Sequence, residues 1–193
     1  MKIHNFLILL TLLLCIGNLL SAQDNLLSAQ EWTKPENWVN LSYEDLQNAL
    51  SAGIDINARD ENGTTPLMAA SGNTQNPDVI TVLINVGADI NARDENGSTP
   101  LMAAARNNQN PDVITTLINA GADINAQNKH RWTALMEAAR YNENPEIITT
   151  LLNAGANVTM GTLYPRKTAW DLIQENDALQ GTDVYWELNR RRF

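Results

Sequence analysis

Catalysis needs a base, a nucleophile or a set of metal ligands, and this sequence is poor in all three. It holds two histidines, His4 and His130, and one cysteine, Cys15. His4 and Cys15 lie in an apolar leader and His130 far down the chain, so they supply neither a zinc site nor a Cys–His nucleophile pair. No glycine-rich phosphate loop occurs. Asp55-Ile56-Asn57-Ala58-Arg59-Asp60 has a faint calcium-loop spacing, but Arg59 stands at a ligand position and the turn glycine is missing. The carboxylates are plentiful, yet they recur at positions that suit turns and helix caps. None forms an isolated pair fit for acid–base work. The chain therefore reads as a non-enzyme with no cofactor, no metal and no catalytic residue. What remains is recognition chemistry: Lys129, His130, Arg131 and Trp132, with Arg140 and Tyr141 shortly after, include the Trp, Tyr and Arg that dominate binding hot spots.

Charge sharpens that reading. Residues 23–128 hold four Lys/Arg against fourteen Asp/Glu, whereas residues 129–193 hold eight of each. A surface graded from acidic to basic and aromatic follows. The net charge of −9 argues against nucleic acid, which needs an extended basic face.

These residues are positioned by a repeat. Residues 60–93 recur as 94–127 with seven differences, and again, more diverged, as 128–161. A fixed period of this length means stacked units, each buried only by its neighbours. Within a unit, Thr65-Pro66 opens a first helix with a capping hydroxyl and a proline suited to the first helical position. Its inward face is Leu67, Ala70 and Ser71. Asn76-Pro77-Asp78 opens a second helix, with Val79, Ile80, Leu83 and Ile84 as its core stripe. Gly87 ends it in a left-handed cap. Asp89-Ile90-Asn91-Ala92 is expected to be extended, and Asp94-Glu95-Asn96-Gly97 to form the turn into the next copy.

Gly63-Thr64-Thr65-Pro66-Leu67-Met68-Ala69-Ala70 and Gly87-Ala88-Asp89-Ile90-Asn91-Ala92 resemble the two signatures of the ankyrin repeat family. The blocks return at 97–104 with 121–126, and as Thr133-Ala134-Leu135-Met136 with Gly155-Ala156-Asn157-Val158. The chain departs from the family where Met68, Met102 and Met136 replace the usual histidine, and where the inter-helix turn carries an extra residue. The resemblance implies an all-α repeat solenoid: helix-turn-helix units with β-hairpin tips, three clear repeats, and degenerate caps at 41–59 and 162–193. It also implies a concave groove lined by the tips and the first helices. The matching tip residues include Glu61, Glu95, Lys129, His130 and Trp132, and the helix residues include Arg106, Arg140 and Tyr141. Arg106 and Arg140 occupy equivalent positions and are expected side by side.

Residues 1–22 begin with Lys2, run through an apolar stretch too short to span a bilayer, and reach Ser21-Ala22. This predicts a signal peptide, and with it export to the periplasm or beyond the cell. An uncleaved anchor is the alternative. Residues 23–40 form an amino-terminal segment carrying Trp32 and Trp38, and the array spans 41–193. After the third copy, Lys167-Thr168-Ala169-Trp170-Asp171-Leu172 restarts the pattern following a one-residue slip. The function expected is an exported, monomeric, non-catalytic scaffold binding another protein through the groove. The alternatives are an inhibitor or immunity-like protein that occludes an enzyme with Glu61 and Glu95, and an envelope-anchored structural protein.

Overall fold

The structure, a computed structural model, describes Thr33, Lys34 and residues 55–191. Residues 1–22, expected to be a signal peptide, most of the 23–40 segment, residues 41–54 of the expected first cap, and the last two residues lie outside the described residues. Within them, helices run in pairs: α1 (Pro66–Asn73) with α2 (Pro77–Asn85), α3 (Pro100–Asn107) with α4 (Pro111–Asn119), and α5 (Ala134–Tyr141) with α6 (Pro145–Asn153). The last pair is α7 (Ala169–Ile173) and α8 (Asp183–Arg191). The first helices α1, α3, α5 and α7 stack in order as one layer, and α2, α4 and α6 as the other, with α8 closing on α6 and α7.

Helices of 8 and 9 residues are too short to persist alone, so each depends on caps and burial. The Thr65, Thr99 and Thr133 hydroxyls accept from the amides of Met68, Met102 and Met136. Asn76, Asn110 and Asn144 cap the second helices in the same way. Gly87 has φ +98°; its N–H donates to Ile84 O and the Ala88 N–H to Leu83 O, a Schellman ending repeated at Gly121 and Gly155. A methyl added at Gly87 or Gly121 would meet nothing within 4 Å. Gly87→Ala and Gly121→Ala should therefore each cost only the left-handed backbone term, about 1 kcal/mol in thermal melts. An unchanged melt would show that the caps carry no such constraint.

The core is repetitive. Leu67, Leu101 and Leu135 are buried, as are the triplets Val79, Ile80, Leu83; Val113, Ile114, Leu117; and Ile147, Ile148, Leu151. Met68, Met102 and Met136 are also buried, so the methionines pack where a polar side chain is more usual. Ile84 is only partly buried.

Two local expectations need correction. Asp89–Ala92 is not extended: the Asp89 carboxylate accepts from the Asn91 amide at 3.0 Å and Asp89 O from Ala92 N at 3.2 Å, closing a turn. A short acidic side chain bonding its own backbone two residues on outcompetes extension. The tips are hairpin turns, but no strand occurs among the described residues. Each tip closes with two backbone bonds, such as Asp60 N to Thr64 O and Gly63 N to Asp60 O, and meets the next tip through one more, Glu95 N to Asn62 O or Lys129 N to Asn96 O. That is too few bonds for a ladder.

Polar side chains couple the units. Asn108 Nδ2, fully buried, donates to Ser71 O at 2.8 Å and Thr74 O at 2.7 Å. Asn142 repeats this on Ala105 O and Asn108 O, and Asn176 on Ala139 O and Asn142 O. At the tip bases, Arg59 Nη1 donates to Gly63 O and Arg93 O, and Arg93 Nη1 to Gly97 O and Gln127 O. These arginines are spent on backbone carbonyls.

Candidate functional site

The tips and first helices place the candidate residues in two groups. At the tip of the third unit, Asn128 Oδ1 accepts from the amides of His130 and Trp132, which fixes the loop. Trp132 then stacks on Tyr141, at the end of α5, with ring centroids 5.7 Å apart and planes at 21°. The Arg106 guanidinium, from α3, sits 3.9 Å from the Tyr141 centroid, and that of Arg140 lies 5.8 Å away. Both distances suit cation–π attraction. Arg106, Trp132, Arg140 and Tyr141 thus form one column centred on Tyr141, and His130 lines the hollows on both sides of it. Glu61 and Glu95 stand exposed on the two preceding tips, apart from this column.

The column carries counter-charges that the sequence reading missed. Arg106 Nη1 reaches Glu137 Oε2 at 3.3 Å, and Arg140 Nη2 reaches Glu175 Oε2 at 3.1 Å while its Nη1 donates to Glu175 O. Lys167 pairs with the same Glu175. Glu137 breaks the repeat, standing where Ala69 and Ala103 stand, and that break was the available signal. Its partner lies 31 residues back, beyond the reach of local pattern.

Burial raises the Glu137 carboxyl above its ordinary 4.5; Arg106 opposes this and the charge of Asp94 adds to it. Desolvation outweighs the ion pair. A carboxyl raised on folding contributes most below its unfolded value, and that contribution is lost as pH rises through the folded one. Glu137→Gln should therefore melt above the native protein near neutral pH, the gap closing as pH falls towards 4.5. A gap that widens on acidification would reverse the assignment. The exposed Glu175 behaves oppositely, held below its ordinary range first by the Lys167 hydrogen bond and then by the positive charges of Lys167 and Arg140.

The tip itself is unusual. Arg131 has φ +63° at the position held by Gly63 and Gly97 in the earlier units. The following loop is also wider. Thr162 N bonds Lys167 O, a span one residue longer than Asp60 N to Thr64 O, and Leu163 N reaches back to His130 O. The Thr162 hydroxyl bridges Pro165 O and Lys167 N across it. This is where the one-residue slip is absorbed, and beside it opens a hollow of about 370 Å³. A second hollow, of about 360 Å³, lies on the other side of the column between Asn96, Ser98 and Glu137.

Among the described residues, no helix is long and apolar enough to cross a membrane, and no group of three or more His, Cys, Asp or Glu could hold a metal ion. A comparison with curated proteins found no match. The family model for ankyrin repeats, three copies long, matches residues 39–128 and again residues 73–162. Those matches cover well over half of the chain and take in the three helix pairs α1–α6 with the tip-to-tip bonds between them, so the chain belongs to the ankyrin repeat family.

Proposed function

We propose that this protein is an exported, non-catalytic scaffold that binds another protein through the face built by its tips and first helices. Ankyrin repeats support the general role of a protein-interaction scaffold. The observation that carries the specific reading is the Arg106–Tyr141–Trp132 column, aromatic and cationic and flanked by a hollow on each side. Export, to the periplasm or outside the cell, is supported by the pattern of residues 1–22. The purified protein, used as bait against a native extract, should retain a specific partner, and replacing Trp132, Arg140 and Tyr141 with alanine should abolish retention. Undiminished retention by the triple variant would remove the column from the binding surface. Sequencing the mature amino terminus tests export, since a start at Gln23 leaves no anchor.

A second reading has its own support. Glu61 and Glu95 remain exposed and, among the described residues, form no ion pair. Two such tips could face a basic cleft on an enzyme and occlude it. Binding of that kind falls steeply as salt is raised.

A further inference from the structure

We propose that the hollow beside the wide loop 162–167 receives a bulky apolar side chain carried on an acidic segment of the partner. This rests on the scaffold reading above and names the chemistry of what that surface takes. The first observation is apolar exposure. Five large hydrophobic side chains are exposed among the described residues, and three of them, Tyr141, Leu163 and Tyr164, line this hollow. Tyr164 is 90% exposed, and Trp132 adds a further aromatic wall. The other two, Val86 and Trp186, stand at the end of α2 and on α8, so the concentration of three here marks a surface that gains by being covered.

The second observation is charge. Inside the hollow, Arg140 and Lys167 share one carboxylate, Glu175, which leaves the lining positive. Lys129 and Arg131 flank His130 in the chain, and Arg166 lies between Pro165 and Lys167. All three are exposed, and among the described residues none forms an ion pair. A hollow walled by apolar and aromatic side chains, whose own lining is net positive and whose lining residues have these unpaired cations as chain neighbours, is complementary to an apolar anchor flanked by carboxylates. The same positive charges would repel a basic segment, which supplies selectivity.

The third observation is the loop, which sets this hollow apart from the one across the column, where Leu163, Tyr164 and Lys167 do not reach the wall. At the two earlier tips the next tip stacks tightly: a methyl at Gly63 would approach Glu95 N to 3.1 Å, and one at Gly97 would approach Lys129 N to 3.3 Å. After Arg131 a loop one residue longer takes the place of the regular tip, keeping the tip-to-tip bond through Leu163 N to His130 O, and Leu163 and Tyr164 on it line the hollow.

The test uses three short dye-labelled peptides: a phenylalanine flanked by glutamates, a glycine flanked by glutamates, and a phenylalanine flanked by lysines. By fluorescence anisotropy, the first should bind the purified protein at least about tenfold more tightly than either of the others, and lose affinity as salt is raised. Tyr164→Ala should weaken it by about tenfold, and so should Lys129→Glu combined with Arg166→Glu. All three positions are exposed, so an unchanged melt confirms that each variant folds. Equal binding of the lysine peptide, no binding at all, or indifference to Tyr164→Ala would overturn the assignment. If the natural partner is still captured through Trp132 and Tyr141 while the peptides fail to discriminate, the acidic–apolar chemistry falls and the scaffold reading stands. A salt-sensitive dimer abolished by Tyr164→Ala, with no peptide binding, would overturn it in favour of a second copy of the chain, whose amino-terminal half is acidic.

Discussion

Asn142→Ala is expected to lower the stability of the protein by about 3 kcal/mol, read from denaturant unfolding. The side chain is fully buried and makes three bonds. Its Nδ2 donates to Ala105 O at 2.9 Å and Asn108 O at 2.8 Å, and its Oδ1 accepts from Asn144 N at 2.8 Å. Alanine removes all three and strands two buried carbonyls of the preceding unit, each worth about 1–3 kcal/mol when left without a partner. Asn142→Asp should be worse still: it keeps the acceptor, loses both donors and buries a charge. A loss below about 1 kcal/mol for the alanine variant would mean that water satisfies those carbonyls, and that the asparagine column is not what joins the units.

Gly63→Ala should cost about 2 kcal/mol, roughly twice the cost at Gly87. Both glycines are left-handed, with φ +75° and +98°. The difference is what a methyl would meet. At Gly87 there is open space, whereas at Gly63 the new carbon would lie 3.1 Å from Glu95 N and 3.3 Å from Asp94 Cα, both backbone atoms of the next tip. Neither can move without disturbing the Glu95 N–H bond to Asn62 O. Equal melting shifts for the two alanine variants would show that the tips sit more loosely than this packing implies.

The contrast also shows what was legible in the sequence. Thr65-Pro66, Asn76-Pro77 and Gly87 announce helix starts and stops through chemistry confined to a few neighbouring residues, and the structure places caps at each. The asparagine column was not read. Thr74/Asn108 is one of the seven differences between the first two copies, and Asn142 and Asn176 repeat the asparagine at the same spacing. Its carbonyl partners lie 34 and 37 residues away, so nothing local signals them. Glu137 was overlooked for the same reason, its meaning fixed by an arginine in the previous unit. Of the proposed surface residues, only the side-by-side placement of Arg106 and Arg140 was expected from the repeat, since those two positions are equivalent; the Trp132–Tyr141 stack joins positions that are not. The hollow did not follow. The slip before Thr168 was visible, but the space it leaves depends on how a loop one residue longer meets the tip before it.

The spacing of the asparagine bonds has a consequence for how such a chain can change in length. Each of Asn108, Asn142 and Asn176 grips carbonyls at the same offsets in the unit before it. Excising residues 94–127 would therefore hand Ser71 and Thr74 directly to Asn142, and every bond of the column would re-form. The shortened molecule would differ at its surface instead: Gly72 would stand where Arg106 does, and Tyr141 would lose the guanidinium above its ring. Gain or loss of a whole unit would leave the joints of the array intact while rewriting the face it shows to others.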